Sequence, residues 1–111
     1  MNINDTQSMF TKWIVDRKDL GNINAGHNYH VSFHHAVNPN IMDIRIKTSC
    51  GCIGARWNKV DTVMLDYKPG KVPKHLSKQG HYKTVKYVYL TIVYPSHEEE
   101  KTLTFEAVVY N

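Results

Sequence analysis

Apolar and polar side chains alternate with a period of two along much of this chain, and no other feature of the sequence restricts its fold as strongly. Tyr29, Val31 and Phe33 alternate with His30, Ser32 and His34; Met42, Ile44 and Ile46 alternate with Asp43, Arg45 and Lys47. Successive strand side chains point to opposite faces, so each run predicts a strand with one packed and one wet face. Residues 62–67 (TVMLDY) and 82–94 (YKTVKYVYLTIVY) are rich in the β-branched and aromatic residues that suit a pleated surface. Residues 102–110 set Leu103, Phe105, Ala107 and Val109 against Thr104, Glu106 and Val108.

Turn chemistry predicts the connections. Residues 36–40 (AVNPN) carry an Asn-Pro signal, so a hairpin-like connection is expected between the strands on either side. Residues 95–101 are expected to form a second hairpin with Glu98, Glu99 and Glu100 solvated at its tip. Little remains for helix: residues 10–15 (FTKWIV) suit a strand or one helical turn, and residues 72–79 (VPKHLSKQ) a short helical turn capped by Gly80. A chain of 111 residues is long enough for one core and too short for two. Short strands at this spacing predict an all-β, Ig-like antiparallel β-sandwich of about seven strands, one domain over residues 1–111 with residues 1–15 as an arm or first strand.

The 41% hydrophobic and 22% charged content is that of an ordinary folded domain rather than a disordered chain. Residues 1–10 lack the basic start and apolar run of a secretory signal, and no apolar stretch reaches the length of a membrane span. The expectation is cytoplasmic synthesis, a reducing compartment and no membrane partner. The net charge of +4 is polarised, with six lysines and no acidic residue between positions 68 and 86. A lysine-rich loop without arginine is more in keeping with solvated surface than with a nucleic-acid site, so nucleic acid is not the expected partner.

Both cysteines sit in one short stretch, residues 48–57 (TSCGCIGARW). In an extended strand Cys50 and Cys52 would lie roughly 6.5–7 Å apart at Cα, at the edge of disulfide geometry, so free thiols are expected unless Gly51 kinks the backbone. A tetrahedral zinc site needs four ligands. His30 and His34 stand ~13 Å apart along one strand, and His34 and His35 point to opposite faces. A redox dithiol of the thioredoxin kind would need a helix N-terminus, which the strand before Cys50 does not provide. No nucleophile elbow surrounds Ser49, and Asp16, Asp19, Asp43, Asp61 and Asp66 have no spacing that forces two together. Neither a catalytic set nor a cofactor is called for. Tyr87 and Tyr89 share a face with Val85 and Val93, which makes a second apolar surface to be covered by the other sheet or by a partner protein.

Residues 19–57 (DLGNINAGHNYHVSFHHAVNPNIMDIRIKTSCGCIGARW) resemble a family of mostly uncharacterised bacterial Ig-like domains that ends this region on a Ser-Cys-Gly-Cys-Thr signature. Gly21 and Ile23 match its opening, Gly26 the following turn, Phe33 a strand, Asn38 a turn, and Ser49, Cys50, Gly51 and Cys52 the signature. Val63, Leu65 and Tyr67 resemble its next strand, and Gly80, Tyr82, Lys83, Val88 and Leu90 the one after. Ile53 replaces the signature threonine, the Pro-Gly turn before Val63 is missing, and a basic loop, residues 68–80 (KPGKVPKHLSKQG), is inserted. Family members tend to follow a secretory signal, unlike this chain. The resemblance implies an Ig-like fold in which Cys50 and Cys52 pack as small apolar side chains where one strand turns toward the next. It implies no catalytic residue.

The expected role is that of a non-catalytic structural or protein-binding module. A short Ig-like chain of this kind is similar to the accessory and decoration subunits of phage particles, so the expected partner is a larger assembly of capsid or other virion proteins. Phe10 and Trp13 of the apolar arm, with Lys71, Lys74, Lys78 and Lys83, are the candidate contacts. Two alternatives stay open: thiol redox or metal binding at Cys50-Gly51-Cys52, and nucleic-acid binding through the lysine-rich loop.

Overall fold

The computed structural model describes residues 10–111, so the first nine residues of the expected arm lie outside the described residues. Seven strands follow one another: β1 (Arg17–Asn24), β2 (Tyr29–His34), β3 (Asp43–Thr48), β4 (Ile53–Trp57), β5 (Thr62–Tyr67), β6 (His81–Val93) and β7 (Glu98–Tyr110). They form a four-stranded sheet in the order β1-β7-β6-β3 and a three-stranded sheet in the order β2-β5-β4. This is the all-β sandwich that the alternation predicts. The short helical turn is present at Lys74–Leu76, and Gly80 closes the segment with φ of 78° and an N–H to the Leu76 carbonyl at 3.2 Å.

Three expectations about connections are corrected. The Asn-Pro loop does not join a hairpin, because β2 pairs with β5 while β3 pairs with β6, and the loop carries the chain from one sheet to the other. The acidic run does not sit at a hairpin tip. Glu98, Glu99 and Glu100 open β7 and pair with Val93, Ile92 and Thr91, which leaves Pro95, Ser96 and His97 for the turn. Residues 10–15 form neither a strand nor a helical turn, but a single antiparallel bridge from Trp13 to His35.

That bridge has an architectural consequence. The Ile14 N–H donates to the His34 carbonyl at 3.0 Å and the Ala36 N–H to the Lys12 carbonyl at 2.8 Å, which holds the entering chain to the three-stranded sheet. A few residues later the chain has crossed over and runs parallel to β7 as β1. One incoming segment therefore ties both layers together along one side. The Lys18 ammonium adds a hydrogen bond to the Ser32 carbonyl of β2. The β1–β7 register shifts between Asp19 and Asn22, where Gly21 adopts φ of 69° and donates its N–H to Asp19 Oδ1 at 2.8 Å. A side chain at that left-handed position would be strained, which is the reason for glycine there.

The core lies between the sheets. Val88, Leu90 and Ile92 of β6 and Leu103, Phe105, Ala107 and Val109 of β7 face Val31, Phe33, Val63, Leu65 and Tyr67 of β2 and β5. Each such side chain contributes about 1.5–3 kcal/mol by leaving water. Burial, with a smaller contribution from the neighbouring Tyr82, pushes the Tyr67 phenol up to about 12.

Candidate protein-binding surface

Because even-numbered residues of β6 face the core, its odd-numbered residues form the outer face of the four-stranded sheet. Tyr87 and Tyr89 stand there, 41% and 43% exposed, with rings stacked 6.3 Å apart at an interplanar angle of 17°. Half-buried Val85 and Val93 continue the same stripe along β6. The face predicted from alternation is thus real, and the second sheet does not cover it. Charge frames it at both ends: Arg45 of β3 reaches Glu98 of β7 at 2.8 Å, and Arg17 and Lys83 converge on Glu106 at 3.7 and 3.6 Å. Thr91 Oγ1 donates to the Glu100 carboxylate at 3.2 Å beside the first of these pairs. An aromatic centre inside a rim of mutually paired charges is the anatomy of a protein-protein contact surface. Lys83, one of the expected contacts, belongs to this rim.

Phe10 and Trp13 lie elsewhere, at the end of the sandwich where β2 finishes and β5 begins. Phe10 is 58% exposed and approaches His97 edge-on at 6.5 Å. Trp13 is half-buried and packs edge-to-face on His35 at 4.9 Å. His35 is buried, receives the Trp57 Nε1–H on Nε2 at 3.1 Å, and directs Nδ1 to the Ala36 carbonyl at 2.9 Å. Those two partners require the neutral imidazole with its proton on Nδ1. Glu99 holds the incoming segment from the other side, as its Oε1 accepts the Thr11 N–H at 3.0 Å and the Tyr94 hydroxyl at 2.9 Å. Thr11 Oγ1 lies 2.6 Å from the same hydroxyl. Burial pushes Tyr94 up to about 12, with the adjacent Glu99 adding to the rise and Thr11 opposing it. Glu99 escaped the sequence reading because an acidic run looks like solvated turn, and strand register alone reveals which of the three carboxylates turns inward.

Lys71, Lys74 and Lys78 are exposed at the opposite end of the sandwich. Their loop is anchored by buried Pro69 and Val72, by the Val72 N–H on Asn111 Oδ1 at 3.0 Å, and by the Tyr82 hydroxyl on the Gly70 carbonyl at 2.7 Å. Lys71 lines a shallow cleft there with Ala25, Val72 and Asn111. The fold therefore separates the candidate contacts into an apolar end, a lysine end and the tyrosine face that runs between them.

The cysteines share the lysine end, and here the expectation of free thiols is overturned. Cys50 and Cys52 are joined in a disulfide, with Cα atoms 5.1 Å apart. The strand stops at Thr48, and the Ile53 N–H closes a turn on the Cys50 carbonyl at 3.2 Å, which brings the two Cα atoms inside the bonding range. Both remain half-buried against the core. A bridge two residues apart closes so short a loop that it restrains the unfolded chain by only roughly 1.5 kcal/mol. Metal chemistry finds no cluster: among the described residues no three His, Cys, Asp or Glu side chains converge to hold an ion. His30 pairs with Asp66, and His34 Nδ1 lies 2.9 Å from Thr62 Oγ1.

Compared with known protein families and with curated proteins, the chain shows no match. Among solved structures it is similar to part of an endo-fucoidan hydrolase from glycoside hydrolase family 107, with a TM-score of 0.55 at 7% identity over 91% of this chain and 14% of that one. It is also similar to the SrpA adhesin of Streptococcus sanguinis, with a TM-score of 0.53 at 8% identity over 91% of this chain and 61% of the adhesin chain. The chain thus spans less than two thirds of either protein. At such identities the likeness extends to the layered all-β fold and stops there.

Proposed function

We propose that this chain is a non-catalytic protein-binding module that serves as an accessory or decoration subunit of a larger assembly, such as a phage particle. The observation that carries the reading is the outer face of β6, where Tyr87 and Tyr89 are stacked and exposed between rims of paired charge. Stacked tyrosines hold little conformational freedom to lose on docking and present a broad amphipathic area, which is why tyrosine concentrates at the centres of protein contacts. Exposed Phe10, Ile14, Val37, Met42 and Val60 add apolar surface at the sandwich end. The same fold in an adhesin is in keeping with a module that works through its faces. The resemblance to phage accessory subunits supplies the kind of assembly. Velocity sedimentation of the native source with immunodetection tests it: the chain is expected in a high-mass fraction, and recovery only as a free monomer contradicts it.

A further inference from the structure

The Cys50–Cys52 turn has features that the docking role does not use. A Cβ built on Gly51 meets nothing within 4 Å, so the turn between the two sulfurs faces open space. The Cys52 N–H donates to Cys50 Sγ at 3.1 Å, and no corresponding donor serves Cys52 Sγ among the described contacts. A hydrogen bond to sulfur stabilises the thiolate over the thiol and makes that sulfur the better leaving group. Beyond the Thr48–Val88 pair, the Ser49 N–H donates to the Tyr87 carbonyl and the Tyr87 N–H to Ser49 Oγ, both at 3.0 Å, which pins the chain to β6 immediately before the turn. Lys68 follows on the other side, its N–H on the Cys52 carbonyl at 3.1 Å.

We propose that Cys50–Cys52 is a thiol–disulfide exchange site whose substrates are cysteine thiols of a protein or a small molecule. An external thiolate attacks Cys52 Sγ, the Sγ–Sγ bond breaks, and Cys50 departs as the thiolate held by the Cys52 N–H. The mixed disulfide on Cys52 is then resolved in one of two ways. Cys50 attacks it and restores the bridge, or a second thiolate attacks it, so that two substrate thiols become one disulfide and the pair takes up two electrons. The protons of the two substrate thiols end on Cys50 and Cys52 or in solvent, according to pH.

The test uses the full chain in glutathione and dithiothreitol buffers under native conditions, with acid quench, alkylation and mass spectrometry. Circular dichroism in the same samples follows the fold. Dithiothreitol is expected to open the bridge, and glutathione disulfide to re-form it, while the strand spectrum is kept. The Cys50→Ser variant is expected to accumulate a glutathione adduct on Cys52. In Cys52→Ser, the remaining Cys50 thiol is expected to alkylate about tenfold faster at neutral pH than Cys52 does in Cys50→Ser. A bridge that opens only when the sandwich unfolds, or a reduced pair that glutathione disulfide leaves as thiols, overturns the proposal. Equal alkylation rates overturn its direction of attack. None of these readouts depends on an assembly partner, so the docking role stands or falls separately.

Discussion

Tyr67 of β5 and Phe105 of β7 meet edge to face across the sandwich, ring centroids 5.0 Å apart and planes 65° to one another. Their strands belong to different sheets, so this contact is made by side chains alone and reports directly on how the layers close. Phe105 is fully buried. Replacing it in Phe105→Ala removes the ring and leaves a cavity, at an expected cost of about 3–5 kcal/mol in urea unfolding. Since domains of this size hold about 5–15 kcal/mol in all, the substitution removes a large share of the total and should move the urea midpoint well below the parent's.

Tyr67 and Tyr94 make stability depend on alkaline pH. Both phenols are raised from 10 to about 12, chiefly by burial, so the folded state holds these protons more tightly than the unfolded chain. The stabilisation is complete below pH 10 and is lost as the pH rises toward 12. Thermal melts across that window should fall steeply, and the fall should be smaller in Tyr94→Phe.

Asn58 organises the turn between β4 and β5. Its Oδ1 accepts the N–H groups of Val60, Asp61 and Thr62 at 2.8, 2.9 and 3.1 Å, and Lys59 beside it takes φ of 67°. Asn58→Ala should cost about 1–3 kcal/mol, whereas Asn58→Asp, which keeps the accepting oxygen but loses the Nδ2–H donated to Asp61 Oδ1 at 3.1 Å and sets two carboxylates together, should recover only part of it in the same urea titration.

How much of this was legible in the sequence differs from strand to strand, for physical reasons. β2 and β5 follow the alternation closely, because each buries every second residue against the other sheet. β1 and β4 were not read, although their burial alternates too. β1 shifts register between Asp19 and Asn22, and β4 is five residues long with Gly54 and Ala55 giving little contrast between its faces, so in each only one side chain, Ile23 or Ile53, is buried outright. Turn residues marked where the chain bends after β2 but carry no information on which strand lies beside it afterwards, hence the mistaken hairpin. Both faces of β6 are apolar in sequence, so periodicity grouped Tyr87 with Tyr89 without telling which face was covered. The disulfide was missed because strand geometry was carried two residues too far, past Thr48 into the turn.

The lysine end can be tested apart from the tyrosine face. Lys71, Lys74 and Lys78 are exposed, so their combined change to Glu should leave unfolding free energy within about 0.5 kcal/mol per site. If the loop takes part in docking, the triple variant should enter the high-mass fraction less readily and with a flatter dependence on salt. Unchanged incorporation would remove the loop from the interface.

The central claim is that the exposed pair on β6 docks the chain onto a larger assembly. A Tyr87→Ser, Tyr89→Ser double variant should keep the parent's melting temperature to within a few degrees, because neither ring reaches the core. Each ring at the centre of a contact contributes about 2 kcal/mol or more, so in sedimentation the variant should leave the high-mass fraction and run as a free monomer. If it stays with the assembly as fully as the parent does, this face is not the docking surface.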